Sequence, residues 1–154
     1  MKIFLSTILL LFSWWTAAQK MPFFEQVAFD YFQKEIYPKE YIKSKIHVSD
    51  SLVSYLQTNG NWPVCLKAFT SKDLMGLNAS GIRKLYLGKP DSFKKAKAKR
   101  KYKIQCYVIE SMDMNNGNHI VNVVLNHNYK GDIYHIEMDN SGHVLRWCKG
   151  GWIE

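Results

Sequence analysis

The sequence predicts an α+β fold in which N-terminal helices pack on a four-stranded antiparallel sheet. Two observations carry this expectation. Near the start, apolar residues recur at helical spacing. Over roughly the last fifty residues, apolar and polar residues alternate between turn signals.

Residues 22–37, PFFEQVAFDYFQKEIY, put Phe24, Val27, Tyr31 and Ile36 near helical spacing, with Glu25, Gln26, Gln33 and Lys34 at polar positions. Pro22 suits a first turn. Pro38 marks the stop, because proline has no N–H and crowds the preceding turn. Residues 39–57 are ambiguous, and SDSLVSYL reads as a second helix capped by Ser49 or Asp50. NGNWP at 59–63 is a loop. Within 69–92, Asn78 or Ser80 caps a short helix with Ile82, Leu85 and Tyr86 on one face. Gly88 ends it in the left-handed conformation and Pro90 bars continuation.

The strands follow. Tyr102, Ile104, Cys106 and Val108 share a face in a strand at 102–110, and MNNGN (114–118) turns the chain. Val121, Val123 and Leu125 share the next face. Tyr134, Ile136 and Met138 come after NYKG (128–131), and Leu145 and Trp147 after DNSG (139–142). A one-residue slip would send every side chain to the other face, so pairing must keep the apolar sets together. Leu125 opposite Tyr134, Val123 opposite Ile136 and Val121 opposite Met138 meet that condition. Ile136 opposite Leu145 and Tyr134 opposite Trp147 meet it again. The outward face then holds Ile133, His135 and Glu137 beside Val144, Arg146 and Cys148.

Met1-Lys2, the apolar run 3–15 and TAAQ (16–19) match an export signal cleaved after Ala18. The run is shorter than the about 20 residues a bilayer-spanning helix needs. No Cys stands at the cleavage point for acylation. The expected product is periplasmic or secreted, with no transmembrane segment after signal cleavage. It is one α+β domain, 19–154, with a helical region at 22–60 and a helix plus antiparallel sheet at 69–154.

Of 21 basic residues, seven fall in the tract KKAKAKRKYK (94–103), which has no acidic residue; without Lys2 the rest is balanced at 13 against 13. The net charge is therefore local. Lys94, Lys95, Lys97, Lys99, Arg100, Lys101 and Lys103 form the candidate anion-binding site. In extended form the tract runs in phase with the strand that follows, and lysines at a sheet edge also oppose edge-to-edge pairing. Only Phe93 and Tyr102 flank it, without the interleaved aromatic platforms of nucleic-acid binders. No nucleic acid is expected after export. Anionic lipid head groups, lipopolysaccharide or acidic glycans suit that compartment.

Cys65, Cys106 and Cys148 lie 41 and 42 residues apart, with no CxxC and no zinc spacing. Their odd number leaves a thiol unpaired within a monomer. On the expected register Cys106 faces the core and Cys148 faces outward. Cys65–Cys148 is therefore the candidate disulfide, tying NWPVC to the last strand. The sheet-face candidates are His135, Glu137, Arg146 and Cys148, with His135 opposite Arg146 and Cys148 on the diagonal. A Cys–His thiol enzyme is one reading; the ordinary outward polarity of an alternating strand is the other. His119, His127, His135 and His143 recur every eight residues, which reflects hairpin length. His127 and His135 fall on opposite faces and share no metal. No metal or other cofactor is expected. Trp62, Trp147 and Trp152 offer either an aromatic ligand surface or core and edge packing.

A short helix ending in LYLGKPD (85–91), then strands and a last hairpin IEMDNSGHVLRW (136–147), resembles the small outer-membrane lipoprotein A (SmpA/OmlA) type of domain over residues 69–149. That group includes the BamE-type subunit of the β-barrel assembly machinery and is similar in fold to β-lactamase-inhibitor proteins (BLIP). The resemblance implies a helix pair on an antiparallel sheet, and action by binding other proteins without catalysis. This chain departs from it in having no lipid-attachment Cys and an added N-terminal helical region. A cystatin-like or NTF2-like α+β fold is the alternative. The expected function is an exported non-enzymatic binding module for an envelope protein. Binding of an anionic envelope polymer or surface through 94–103 is the second reading, and the thiol enzyme the third.

Overall fold

A computed structural model describes residues 22–40, 45–54, 74–77, 83–88, 93–96, 104–127 and 130–153. The export-signal segment, the NGNWP loop, Cys65 and tract residues 97–103 lie outside the described residues.

The chain opens with a helical run in three sections: α1 (Phe24–Tyr31), a π-helical turn (Phe32–Ile36) and α2 (Tyr37–Glu40). Pro38 does not stop it. Proline would leave the Lys34 carbonyl without a donor and crowd it; the wider π turn, with Tyr37 N–H bonded to Phe32 O, carries the run past that point. Phe24, Ala28, Phe32 and Ile36 recur every fourth residue and are buried, together with Phe29. Burying each large side chain of this stripe is worth about 1.5–3 kcal/mol, which fixes the run on the sheet.

Among the described residues seven strands form one sheet: β1 (Ile46–Val48), β2 (Leu74–Leu77), β3 (Phe93–Lys95), β4 (Gln105–Met114), β5 (His119–His127), β6 (Lys130–Met138) and β7 (Val144–Ile153). Six lie in the order β3-β1-β4-β5-β6-β7, and β2 pairs with the far end of β4. β1 runs parallel to both β3 and β4, while β2 and β4 to β7 pair antiparallel. The fold is thus a mixed sheet carrying a short helical run. This corrects the expected architecture of helices on a four-stranded antiparallel sheet.

The correction comes from segments without strong periodicity. Ile46 to Val53 follows β4 in extended form: His47 N–H bonds Ile104 O, Ser49 N–H bonds Cys106 O and Val53 N–H bonds Val108 O. Ser49 and Asp50 therefore cap no helix. The stretch 83–88 is extended as well, with Ser51 bridging Lys84 and Leu85 N–H bonded to Asp50 O. Leu85 is buried and Tyr86 is 77% exposed, so neighbours alternate instead of sharing a helical face. Gly88 does take the left-handed conformation, at φ 54°, but ends no helix. Asn78, Ser80 and Ile82 lie outside the described residues.

The central antiparallel strands keep their expected faces, with a shifted register. Val121, Val123, Leu125, Tyr134, Ile136 and Met138 are all buried on the helix side with Cys106 and Val108. Yet Val123 faces Tyr134 and Val121 faces Ile136, two residues from the expected partners. In β7, Ile136 faces Trp147 and Met138 faces Val144, and a register shift between Glu137 and Met138 puts Leu145 out of the ladder. Val144 therefore packs against the core, and Leu145 does not.

The opposite sheet face is buried too, through Ile109, Met112, Ile120 and Val124. A second irregularity lies between Ile109 and Met112 in β4. Its freed donors find other acceptors: Glu110 N–H bonds Val53 O at 3.0 Å, and Ser111 N–H bonds the Glu25 carboxylate at 2.7 Å. Glu25 is only 1% exposed, so one helix side chain both completes the bulge and fixes α1 to β4.

Candidate functional site: the polar sheet face and the two sheet edges

Two of the four sheet-face candidates expected outside are inside. His135 and Glu137 are 1% and 2% exposed on the face opposite the helix. The two-residue shift puts His135 opposite Cys148 and Glu137 opposite Arg146, replacing the expected His135–Arg146 pair. His135 Nδ1 lies 2.7 Å from Asn122 Oδ1 on β5. Burial pulls the imidazole down to about 4, so it is neutral near neutral pH. Glu137 accepts a hydrogen bond from Asn118 Nδ2 at 2.6 Å and another from Arg146 Nε. Burial alone would raise its carboxyl, but the hydrogen bonds from Asn118 and Arg146 and the guanidinium charge outweigh it and the net shift is downward.

Cys148 is disulfide-bonded, and Cys106 is the free, buried cysteine whose thiol burial pushes upward. Cys65, the expected partner of Cys148, lies outside the described residues. A disulfide sulfur beside a buried neutral imidazole supplies no thiolate, which is the attacking species thiol catalysis needs. The His135, Glu137, Arg146, Cys148 group is brought together on β6 and β7 as a brace, with His135 and Glu137 buried and the Arg146 side chain 52% exposed.

His119 belongs to a separate brace. Its ring stacks on Phe24 at 3.8 Å, with Nδ1 at 2.8 Å from Asp113 and Nε2 at 2.8 Å from Asn140. One ring thus joins the start of α1 to two hairpin turns. Asp139 organises the second turn: its Oδ1 accepts from the Ser141 N–H, the Ser141 hydroxyl and the His143 N–H, and these bonds pull the carboxyl down to about 2. Gly142, at φ +86°, brings that turn against Pro22 and Val27. No group of three or more metal-ligating side chains occurs among the described residues.

The two edges of the sheet differ chemically. β3 is three residues long, with Phe93 buried and Lys94 and Lys95 exposed. The tract 94–103 thus begins as a parallel strand beside β1. Lys95 is committed to Asp50 at 2.6 Å, and that hydrogen bond lowers the Asp50 carboxyl. Of the candidate anion-binding residues, Lys94 and Lys95 are placed here; Lys97, Lys99, Arg100, Lys101 and Lys103 lie outside the described residues.

β7 is a ten-residue edge, and among the described residues no strand pairs with its far side. Leu145 and Trp147 are 53% and 37% exposed. Its two charged side chains fold back over their own sheet. Arg146 bonds Glu137, and Lys149 bonds Glu40 at 2.8 Å with Asp132 at 3.7 Å. Alternation had placed Leu145 in the core; only the bulge turns it out. Trp152 lies in the last part of β7, where backbone alone is described, and Trp62 lies outside the described residues.

No protein family, no curated protein and no solved structure matches this chain. No helix among the described residues is long and apolar enough to cross a membrane.

Proposed function

We propose that the chain is an exported, non-enzymatic binding module that takes an extended protein strand along β7. The observation that carries this reading is the unequal treatment of the two sheet edges. Lysine on an edge normally repels a further strand, and β3 keeps Lys94 exposed beside a Lys95 that is paired with Asp50. On β7 both cations are paired with carboxylates of the same chain, and Leu145 and Trp147 are exposed on a strand whose far side pairs with no other strand among the described residues. Backbone hydrogen bonds along such an edge supply affinity, and alternate side chains supply selectivity. The test is recovery of the chain from the source organism's envelope with its bound partner, alongside a Leu145→Lys variant. Partner retained by the wild type and lost by the variant is the expected result. The same partner held equally by both would overturn the reading.

A second reading rests on the exposed lysines of β3, which open a seven-cation tract. It makes that edge a binder of anionic lipid or polymer. Replacing Lys95, Lys97, Lys99 and Lys101 with Gln should then remove most binding to anionic vesicles and flatten its salt dependence. Unchanged, salt-independent binding would eliminate it.

A further inference from the structure

We infer that Tyr86, with Lys84 beside it, is a stacking site for an acidic glycan, a polymer of uronic-acid sugars. The inference rests on the second reading above, that the β3 edge binds anions, and adds the residues and the class of anion.

Tyr86 is 77% exposed, more than Leu145 or Trp147, yet its backbone is held on both sides. Gln26 on α1 takes up both of its main-chain groups. Tyr86 N–H donates to Gln26 Oε1 at 2.6 Å, and Gln26 Nε2 donates to Tyr86 O at 2.9 Å. Across the same segment Leu85 N–H bonds Asp50 O, and the buried Leu85 side chain anchors it in the core. The ring is therefore presented on a fixed backbone, and less ordering entropy remains to be lost when a ligand covers it.

Leu85 is buried while Lys84 and Tyr86 are exposed, so these two share a side of the extended segment, with backbones about 7 Å apart. Lys84 has no carboxylate within ion-pair distance among the described residues. Asp50, whose carboxyl feels its charge, is bonded to Lys95 at 2.6 Å. Arg83 lies over the Phe23 ring at 5.5 Å, and Asp30 accepts from Gln26 at 2.9 Å. Against Asp30 and Asp50 stand Arg83, Lys84, Lys94 and Lys95, so the surroundings of the ring are net positive.

The local chemistry selects the occupant. A peptide strand needs the backbone edge at Tyr86, and Gln26 already fills it. A membrane surface rewards buried apolar area, and one ring supplies little. The other exposed large apolar residues, Leu145 and Trp147, belong to β7 at the opposite end of the strand order. Single-stranded nucleic acid stacks successive bases on successive aromatic rings, and the same-side neighbours of Tyr86 are Lys84 and Gly88. A sugar needs one platform, because the weakly positive C–H groups of its face lie on the negative face of an aromatic ring. A carboxylate on the same sugar then meets Lys84.

Isothermal titration of the purified chain with alginate oligomers tests this, beside neutral dextran, phosphatidylglycerol vesicles and oligothymidylate. Saturable binding to alginate, weakened by salt, and none to dextran is expected. Tyr86→Ala should weaken it about tenfold or more, Lys84→Gln about threefold, and Tyr86→Phe less than about twofold. Both side chains are exposed, so each variant should keep the wild-type melting temperature. Alginate binding that Tyr86→Ala leaves intact overturns the stacking site. If replacing Lys95, Lys97, Lys99 and Lys101 with Gln still removes that binding, the anion-binding edge stands. Preference for vesicles or oligothymidylate over alginate overturns the glycan and leaves the edge standing. Equal binding of dextran overturns the role given to charge. Binding to none of the four ends both readings.

Discussion

Removing the Glu25 carboxylate should loosen the attachment of the helix to the sheet. In Glu25→Ala the buried Ser111 N–H loses its acceptor, and leaving such a donor unsatisfied costs about 1–3 kcal/mol. One methylene, Cγ, leaves the interior with the carboxylate, at about 0.8 kcal/mol for a buried CH₂. Partial collapse of the space lowers the total, so about 1.5–3.5 kcal/mol is expected. Glu25→Gln keeps an oxygen at nearly the same place but replaces a charged acceptor by a neutral one, and should cost about 1 kcal/mol. Urea unfolding followed by circular dichroism measures both, using the midpoint and the slope. Heating gives a second measure, at roughly 3–5 °C per kcal/mol for a domain of this length. The order wild type, Gln, Ala is the signature. An alanine variant within about 0.5 kcal/mol of wild type, the range of neutral surface changes, would refute the assignment of Glu25 as the acceptor that completes the bulge.

Three further outcomes follow from the interior. Because the His135 imidazole is held near 4 in the fold, below its unfolded value near 6.5, the unfolded chain binds the proton first. The stability this group contributes is intact above about pH 6.5 and falls by roughly 3 kcal/mol as pH drops through the folded value. Glu137, lowered in the fold, adds to the loss at the acid end; an NMR titration showing His135 protonating near pH 6.5 would contradict the burial. Gly151→Ala places a Cβ 2.8 Å from the Gly131 carbonyl oxygen, a backbone atom that cannot swing away. It should cost about 1–3 kcal/mol in urea unfolding, and a neutral result would refute the close approach of β6 and β7. Without reductant, Cys106 and Cys148 should both resist alkylation in the folded protein, and only Cys106 of the two should react on denaturation. Mass spectrometry of the labelled peptides decides, and a native adduct on Cys148 would remove the disulfide.

Which side chains share a face could be read from the sequence, because alternation is local: each extended residue turns its side chain opposite to the one before. Val121, Val123, Leu125, Tyr134 and Ile136 therefore lie together as expected, Cys106 is buried, and the NNGN and DNSG segments turn where Gly117 and Gly142 take positive φ. A two-residue shift preserves every face, so alternation could not distinguish Val123–Tyr134 from Val123–Ile136. The candidate site was half legible for the same reason. His135, Glu137, Arg146 and Cys148 do share a face, but their partners and their burial depend on register and on the second buried face of the sheet. Asn118, Asn122 and Glu25 were missed because each acts across long sequence separation on a group that only folding brings near.

By itself, then, the sequence determined the local quantities: the helical start, the antiparallel hairpins, the facing of their apolar residues, and the confinement of net charge to 94–103. Tertiary structure decided what depends on partners far along the chain. It recruited 46–48 and 93–95 as parallel strands, carried the helical run past Pro38, turned Leu145 outward through a bulge, and left β7 with its cations folded inward. Such choices arise from competition among distant backbone segments for the same hydrogen bonds, and residue periodicity carries no record of which segment wins.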